Sequence, residues 1–245
     1  MAVGIDADTE RLSRGSIPSG GAGTLCQGGF ASFGVGVWLY RPSSGNSYGL
    51  TSDGHIISLV AGAREMKLGF DNTFGAGTAS DPLLQIIFNS GGGTGATQTF
   101  ASANLLDEWV FYFICADTTN QYAGYMRLSD LTPVSITRAN DNAGSQYVNT
   151  LAFGNNGSSA SAAVMGHYAY ARAIDADTDV TAITTLATSA ATDAGDWGFW
   201  PMDDNADTAD DSGNGRDLTF TGTLTSETSP SFAPPTPLAV SWIRA

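Results

Sequence analysis

The order of apolar and polar residues along this chain predicts a β protein with many short strands. Over residues 65–70 every second residue is apolar, which predicts a strand with one buried face and one face in solvent. Residues 83–88 and 109–115 are apolar at both parities, as expected for central strands that are covered on two sides. Further strands are predicted at 33–40, 122–128, 148–154 and 166–172. Strands at this spacing predict an antiparallel sandwich of two sheets.

One segment has the pattern of a short helix. Asp175 is placed as its N-cap, and Asp177 and Asp179 fall in the predicted first turn, where the helix dipole favours acidic residues. We expect this single helix to cap the sandwich. The apolar residues of its predicted buried face are Val180, Ile183, Leu186 and Ala187.

Composition divides the chain into three parts. Residues 1–27 are expected to form an N-terminal arm and loop, and residues 28–225 the β-sandwich. A Pro-rich stretch then leads into an apolar end, so residues 226–245 are expected to form a stiff linker and a C-terminal tail suited to docking on a partner. The candidate docking residues are Leu238, Val240, Trp242 and Ile243.

The charge of the chain excludes two classes of partner. The 24 Asp and Glu residues against 10 Lys and Arg give a formal net charge of −14. Nucleic acids and anionic membranes are bound through clustered cations, and the sequence holds no basic run, so we expect neither as a partner. The sequence also lacks the basic start and apolar run of a secretory signal, and no apolar stretch reaches transmembrane length.

Four passages of the chain resemble segments of a known superfamily. They are Phe33–Trp38 with the turn after it, Asp107–Phe113, Tyr168–Asp175, and Trp197–Leu218. In this order of segments, the chain resembles the laminin-G-like branch of the concanavalin A-like lectin and glucanase superfamily over roughly residues 28–224. The resemblance implies an all-β, two-sheet antiparallel jelly-roll sandwich. The last passage often opens such domains and here closes one, which a jelly roll tolerates because its terminal strands lie close together.

The positions of the few glutamates argue against glycan hydrolysis. Glucanases of this superfamily place catalytic carboxylates on a Glu-x-Asp-x-x-Glu strand. Glu occurs here only at positions 10, 65, 108 and 227, and none has that spacing. Gly45–Gly49 matches the nucleophile-elbow pattern, but its flanks predict a loop instead of the strand and helix that the elbow requires. We therefore predict no catalytic residue and expect a protein that is not an enzyme.

An acidic segment late in the sandwich is the candidate cation site. Hard cations bind several oxygen ligands, and Gly213 and Gly215 permit tight turns beside them. Laminin-G-like domains often carry calcium at the rim of the sandwich, so Ca²⁺ is the cofactor that the resemblance implies. The alternative is a solvated acidic loop without a metal. The candidate ligands are Asp203, Asn205, Asp207, Asp210 and Asp211.

These features together favour a non-enzymatic module of a virus particle. An extracellular type of sandwich, the lack of a catalytic set and an apolar docking tail fit a capsid-decoration, fibre or tail-associated protein of a tailed bacteriophage. We expect it to be made in the host cytoplasm without a signal peptide and to contact other virion proteins, copies of itself or surface glycans. The alternatives are a calcium-dependent lectin-like domain and a glycan hydrolase.

Two questions stay open from the sequence: whether aromatic side chains contact sugars, and whether the two cysteines form a disulfide. Exposed aromatic rings can stack on sugars, but those of this chain lie on or beside predicted strands, where packing in the core is expected. Cys26 and Cys115 fit either one disulfide or two free thiols. The aromatic candidates for sugar contact are Trp38, Tyr40, Tyr48, Trp197 and Trp200.

Overall fold

Fourteen strands and one helix form within the residues that the computed structural model describes. Those residues are 2–5, 10–18, 23–26, 30, 32–43, 54–62, 64–71, 83–89, 96–100, 105–140, 148–155, 164, 166–189, 193, 195–202 and 208–222. The elements are β1 (Val3–Ile5), β2 (Arg11–Arg14), β3 (Phe33–Tyr40), β4 (Gly54–Ala61), β5 (Arg64–Asp71), β6 (Leu83–Asn89), β7 (Ala96–Thr99), β8 (Trp109–Ala116), β9 (Asn120–Arg127), β10 (Pro133–Ala139), β11 (Thr150–Phe153), β12 (Gly166–Ile174), α1 (Val180–Ala187), β13 (Asp196–Trp200) and β14 (Thr219–Thr221).

The strands form two antiparallel sheets. Sheet A has the strand order β1-β12-β3-β8-β9-β10, and β13 also pairs with β12. Sheet B has the order β14-β2-β11-β4-β5-β6-β7. The fold is therefore the predicted all-β, two-sheet jelly-roll sandwich, with one short helix in the described part of the chain. No helix in the described residues is long and apolar enough to cross a membrane.

The apolar run at 109–115 becomes a strand that is buried on both faces. β3 has the predicted bounds, and every residue of β8 is buried. β6 lies inside sheet B between β5 and β7, as expected for a strand without alternation. The two central strands of sheet A thus require apolar cover on the outer side of the sheet as well as in the core.

Strand β5 differs from its prediction on one face. Met66, Leu68 and Phe70 are buried in the core as expected. The opposite face was expected in solvent, but Lys67 on that face is only 9% exposed, with its Nζ 2.6 Å from the carboxylate of Glu65. The expectation of a solvent-exposed face is therefore wrong at Lys67, which lies on that face and is buried. The ion pair supplies the opposite charge that a buried lysine needs.

The N-terminal segment contributes strands to both sheets. β1 pairs with β12 in sheet A, and β2 lies between β14 and β11 in sheet B. Residues 3–5 and 11–14, within the segment expected to be an arm and loop, are therefore held by backbone hydrogen bonds of the sandwich. This pairing carries the end of β2 to the same region of the fold as the C-terminal strand β14.

The main core lies between the sheets and is rich in large aromatic side chains. Trp200 packs edge-on against Phe153, with ring centroids 6.1 Å apart, and Phe70 packs in the same way against Tyr112. Cys26 belongs to this core, whereas Cys115 belongs to the second cluster on the outer side of sheet A. Both cysteines are free, and burial raises the pKa of each thiol well above its usual value.

Two glycines of β3 allow the outer side of sheet A to be covered. A Cβ atom at Gly36 would collide with the ring of Phe111, which lies across the strand. A Cβ at Gly34 would lie 2.8 Å from Cγ2 of Thr178 and 3.2 Å from Cδ1 of Ile183. The missing side chains therefore make room for an aromatic ring and for the helix, which packs on β3 and β8.

Helix α1 begins later than the sequence predicts. Its N-cap is Asp179, whose Oδ1 accepts the backbone N–H of Ala182 at 2.7 Å, so the prediction of Asp175 as the cap is wrong. Asp175 instead accepts the backbone N–H of Cys26. The start is delayed because the chain stays tied to sheet A as far as Thr178, whose N–H donates to the carbonyl of Ala116.

The apolar face of the helix is the predicted one. Ile183 and Ala187 are buried in the outer cluster of sheet A, and Val180 and Leu186 pack against it partly buried. The indole Nε1 of Trp38 donates to the carbonyl of Ala187 at 2.9 Å, so a side chain of β3 caps the last turn. The helix is thereby fixed to the sheet at both ends.

Replacing Gly36 by Val tests the steric role of this position. Overpacking under the Phe111 ring should lower the free energy of unfolding by about 1–3 kcal/mol. Chemical denaturation of the parent and the variant measures the loss. Gly15→Ala is the control, because an added Cβ there meets no atom within 4 Å, and its stability should match that of the parent. Equal stability of Gly36→Val and the parent would contradict this packing.

Candidate functional site

The acidic turn, whose described residues are 208–218 between β13 and β14, is built around one carboxylate. Oδ1 of Asp210 accepts the backbone N–H groups of Phe199 and Ser212, each at 3.0 Å, and Oδ2 accepts that of Arg216 at 2.8 Å. The backbone N–H of Asp210 in turn donates to Oδ1 of Asp217 at 3.0 Å. Asp210 therefore ties both ends of the turn to each other and to strand β13.

This set of donors stabilises the charged form of Asp210. Partial burial by itself would raise the pKa of the carboxyl group, but the hydrogen bonds from Ser212, Phe199 and Arg216 outweigh burial and lower it. These hydrogen bonds place two donors on Oδ1 and one on Oδ2. Asp210 therefore acts in the structure of the turn, and its role as a calcium ligand stays a prediction.

Of the other four candidate calcium ligands, the structure describes only one. Asp211 is exposed on the same turn. Asp203, Asn205 and Asp207 lie outside the described residues. Within the described ranges, no group of three or more His, Cys, Asp or Glu residues is placed to hold a metal ion. Calcium binding stays a prediction that rests on the undescribed part of the segment.

Glycines and an asparagine close the turn, as the sequence pattern predicts. Gly213 and Gly215 have φ angles of +82° and +67°, in the left-handed region that favours glycine. The side-chain amide of Asn214 donates to the carbonyl of Asp196 at 3.1 Å, and Oγ of Ser212 lies 3.1 Å from the same nitrogen. The turn is thus fastened to β13 by side chain and by backbone.

A surface pocket of about 310 Å³ opens beside this turn. Its volume lies at the small end of the range that ligand sites occupy, roughly 300–1,000 Å³. Residues from the end of β2, from the start of β13 and from the acidic turn converge on it. Its described lining consists of Arg14, Ile17, Pro18, Gly23, Trp197, Asn214, Gly215 and Arg216.

An indole and a guanidinium form the centre of this pocket. Trp197 is 5% exposed, and its Nε1 donates to the carbonyl of Gly23 at 3.1 Å. The guanidinium carbon of Arg216 lies 4.5 Å from the Trp197 ring centroid, and Nη1 of Arg216 donates to the Trp197 carbonyl. Stacking and the hydrogen bond therefore fix the guanidinium plane on the aromatic ring.

A second guanidinium reaches the pocket from sheet B. Nη1 of Arg14 donates to the carbonyl of Asp217 at 3.1 Å. Burial and the nearby charge of Arg14 lower the pKa of Arg216, whereas Asp210 and Asp175 act in the opposite direction, burial being the largest effect. Arginine side chains are cationic, so the described lining of the pocket holds two cations.

A buried ion pair supports β13 behind the pocket. Nε of Arg172 lies 3.4 Å from Oδ1 of Asp196, and both side chains are almost fully buried. Burial raises the pKa of Asp196, against the lowering effects of the Asp193 backbone N–H and of Arg172. The guanidinium also stacks 4.6 Å from the centroid of Phe199. These contacts link β12 to β13, so the ion pair of Arg172 and Asp196 has a structural role.

The structure separates the aromatic candidates named from the sequence. Trp38 and Trp200 are fully buried, and Tyr40 packs against Trp109 with tilted rings whose centroids are 5.7 Å apart. Trp197 alone among the described candidates lines the pocket. Tyr48, the elbow-like Gly45–Gly49 and the tail residues lie outside the described residues; the tail residues are Leu238, Val240, Trp242 and Ile243.

Most of the described pocket residues escaped prediction from sequence. Arg14 and Pro18 fall in the segment expected to be an arm and loop, and no motif connects them with the acidic turn about 200 residues later. Only an indirect signal in the sequence points to the pocket. The chain has only ten Lys and Arg residues, and Arg216 interrupts the acidic segment.

Comparisons with known proteins give similarity of fold only. No protein-family model matches the chain, and no curated protein matches it in sequence. Among solved structures, the heptameric SAP-like pentraxin from Limulus polyphemus has a TM-score of 0.43 and 11% identity, over 74% of this chain and 83% of that one. The enzymatically active domain of bacteriophage CBA120 tailspike protein 2 has a TM-score of 0.47 and 8% identity, over 73% of this chain and 28% of that one. A single mutant of Congerin II has a TM-score of 0.38 and 11% identity, over 66% of this chain and 98% of that one.

Replacing Asp210 by Asn tests its role in the turn. The lowered pKa means that the ionised carboxylate stabilises the fold above the ordinary Asp value of about 3.9, and that this contribution is lost as the pH falls through the folded-state pKa. Thermal unfolding should therefore show a lower Tm for Asp210→Asn at pH 7 and a smaller deficit below about pH 4.

Asp211→Asn is the matched control for this experiment. Asp211 lies next to Asp210 on the same turn, but its side chain is exposed. Its Tm should follow that of the parent across the pH range. A deficit for Asp210→Asn that is the same at pH 7 and pH 3 would show that the carboxylate charge does not stabilise the turn.

Proposed function

We propose that the chain is a non-enzymatic binding module of a tailed-bacteriophage particle, a capsid-decoration, fibre or tail-associated protein, and that it binds carbohydrate in the pocket beside the acidic turn. The pocket carries this proposal. Sugars are bound by an apolar or aromatic surface together with polar groups of fixed direction. The exposed ring of Pro18 supplies the first, and Arg14, Asn214 and Arg216 supply the second.

The state of the nearby carboxylates supports binding over catalysis. A retaining glycosidase needs two carboxyl groups about 5 Å apart on either side of the scissile bond. Asp210 is engaged by three backbone donors, and Asp196 is buried against Arg172. Glu65 pairs with Lys67 on the same strand, β5, and Glu108 pairs with Arg127 of β9. Each of these carboxylates thus has a structural partner.

The docking part of the proposal is supported by the sequence of the C-terminal segment. Apolar residues at 238, 240, 242 and 243 follow a Pro-rich stretch in a chain that is otherwise strongly acidic. A short apolar segment on a stiff linker can bury its side chains in a groove of a neighbouring subunit. The proposed partners are other virion proteins or further copies of this chain.

A glycan array tests the carbohydrate-binding function. The full chain should bind a subset of glycans, and Arg14→Ala should weaken those signals, since Arg14 lines the pocket. Arg138→Ala removes the same charge from edge strand β10 of the other sheet and should bind as the parent does. Incubation with the bound glycans should release no reducing ends.

The same array distinguishes the alternatives. Signals that disappear in a calcium chelator would favour the calcium-dependent lectin, and released reducing ends would favour the hydrolase. An array without any bound glycan would refute the carbohydrate-binding function.

Sedimentation of a phage lysate tests the particle association. The chain should travel with the particle fraction of a density gradient, and a variant with Trp242→Ser and Ile243→Ser should stay near the top, because it loses apolar docking surface. Val134→Ser is the control, as it removes an exposed apolar side chain from β10. A parent chain that remains wholly in the soluble fraction would contradict the proposal.

A further inference from the structure

We propose that the pocket selects saccharides that carry a carboxylate, and that Arg14 and Arg216 bind that carboxylate. This inference rests on the carbohydrate-binding function proposed above and narrows its ligand class. The local charge, the available donors and the rigidity of the Arg216 guanidinium support it.

The described lining of the pocket contains cationic side chains, although the chain as a whole is acidic. The whole protein has a formal net charge of −14 and only ten Lys and Arg residues. Two of these ten line one small pocket, and its described lining contains no Asp or Glu. A chain of this net charge repels anions in general, so a ligand carboxylate must be held by specific contacts inside the pocket.

The two guanidiniums keep unused hydrogen-bond donors. Arg216 donates to the Trp197 carbonyl through Nη1, and its Nε and Nη2 have no hydrogen-bond acceptor among the described residues. Arg14 donates through Nη1 to the carbonyl of Asp217. A guanidinium has five N–H donors in a planar fork that matches the two oxygens of a carboxylate. Donors therefore remain on each arginine for a bound anion.

The neighbouring carboxylates already accept hydrogen bonds from backbone donors. Asp175 accepts the N–H of Cys26 at 2.9 Å, and Asp210 accepts three backbone N–H groups of the turn. Burial is the main cause of the lowered pKa of Arg216; the charges of Asp210 and Asp175 oppose that lowering, and repulsion by the charge of Arg14 adds to it to a smaller extent. A ligand carboxylate between the two guanidiniums would relieve this repulsion.

The position of Arg216 is fixed before a ligand binds. Its guanidinium stacks on a buried indole, its Nη1 is hydrogen bonded, and its backbone N–H is held by Asp210. Because little side-chain entropy remains to be lost, binding to this arginine costs less than binding to a mobile one. The exposed ring of Pro18 offers an apolar surface for the sugar ring beside the charged group.

Calorimetric titration of the full chain with matched ligands tests this inference. The probes are oligomers of galacturonate, glucuronate, mannuronate and guluronate and a sialylated lactose, each paired with its methyl ester. The ester keeps the sugar and its linkage but removes the negative charge. At least one acid should bind about 10-fold or more tightly than its ester, as expected for loss of a charge-assisted hydrogen bond.

Variants connect that preference with the two arginines. Arg14→Ala and Arg216→Lys should each weaken binding of the acid by about 10-fold and leave binding of the ester within about 2-fold. Arg216→Lys keeps the charge but loses the planar fork, and Arg14→Ala does not touch the stacked pair. Arg138→Ala should leave the preference unchanged. Thermal unfolding shows that each variant is folded before titration.

The outcomes separate this inference from the function on which it rests. Acids and esters that bind equally well would overturn carboxylate selection and leave a pocket for neutral carbohydrate. A panel in which neither acids nor esters bind would overturn carboxylate selection, and the glycan array then decides whether the carbohydrate-binding function falls with it. A preference for acids that survives both Arg14→Ala and Arg216→Lys would place the carboxylate outside this pocket and refute the assignment.

Discussion

Burial of sheet A on both faces is the constraint on which the rest of the structure depends. β3 and β8 carry apolar side chains at both parities, so one face forms the core between the sheets and the other needs its own cover. The cover on the outer side is α1 together with the rings of Trp38 and Phe111, seated over Gly34 and Gly36. An ordinary side chain at either glycine would displace part of this layer.

The position of the pocket follows from the same constraint. α1 is reached from the end of β12, and the chain returns from it into β13, which pairs with β12. The buried pair of Arg172 and Asp196 fastens this return, and Asp210 then fastens the acidic turn to β13. Arg216 and Trp197 are brought together at that point, and β2 adds Arg14 from the other sheet.

The acidity of the chain therefore has distinct local uses. Asp179 caps a helix, Asp196 pairs with a buried guanidinium, and Asp210 builds a turn through three backbone hydrogen bonds. Asp211 remains exposed, as part of the charge that keeps such a protein soluble. In so acidic a chain, a pocket whose described lining has two arginines and no acidic residue is the least expected feature of the charge distribution.

The local pattern of apolar residues predicts those elements that are long enough to show a period. The apolar run of β8 and the apolar face of α1 were predicted because each extends over two turns or several pleats. β1, β2 and β14 have three or four residues, too few to show a period, and their pairing partners are far away in sequence. The cap of α1 was misplaced because several aspartates satisfy the same local rule and a tertiary hydrogen bond at Thr178 decides between them. The candidate site could be predicted only in part, because it too depends on contacts between distant residues. The chemistry of the acidic turn depends on which backbone donors reach Asp210. The pocket brings residues 14–23 together with residues 197–216.

A crystal structure of the chain with its tightest-binding carboxylated saccharide tests the central claim most directly. We predict that the ligand carboxylate contacts the guanidiniums of Arg14 and Arg216 and that a sugar ring lies against Pro18. A saccharide bound elsewhere on the sandwich, or one in the pocket with its carboxylate turned towards solvent, would contradict the claim.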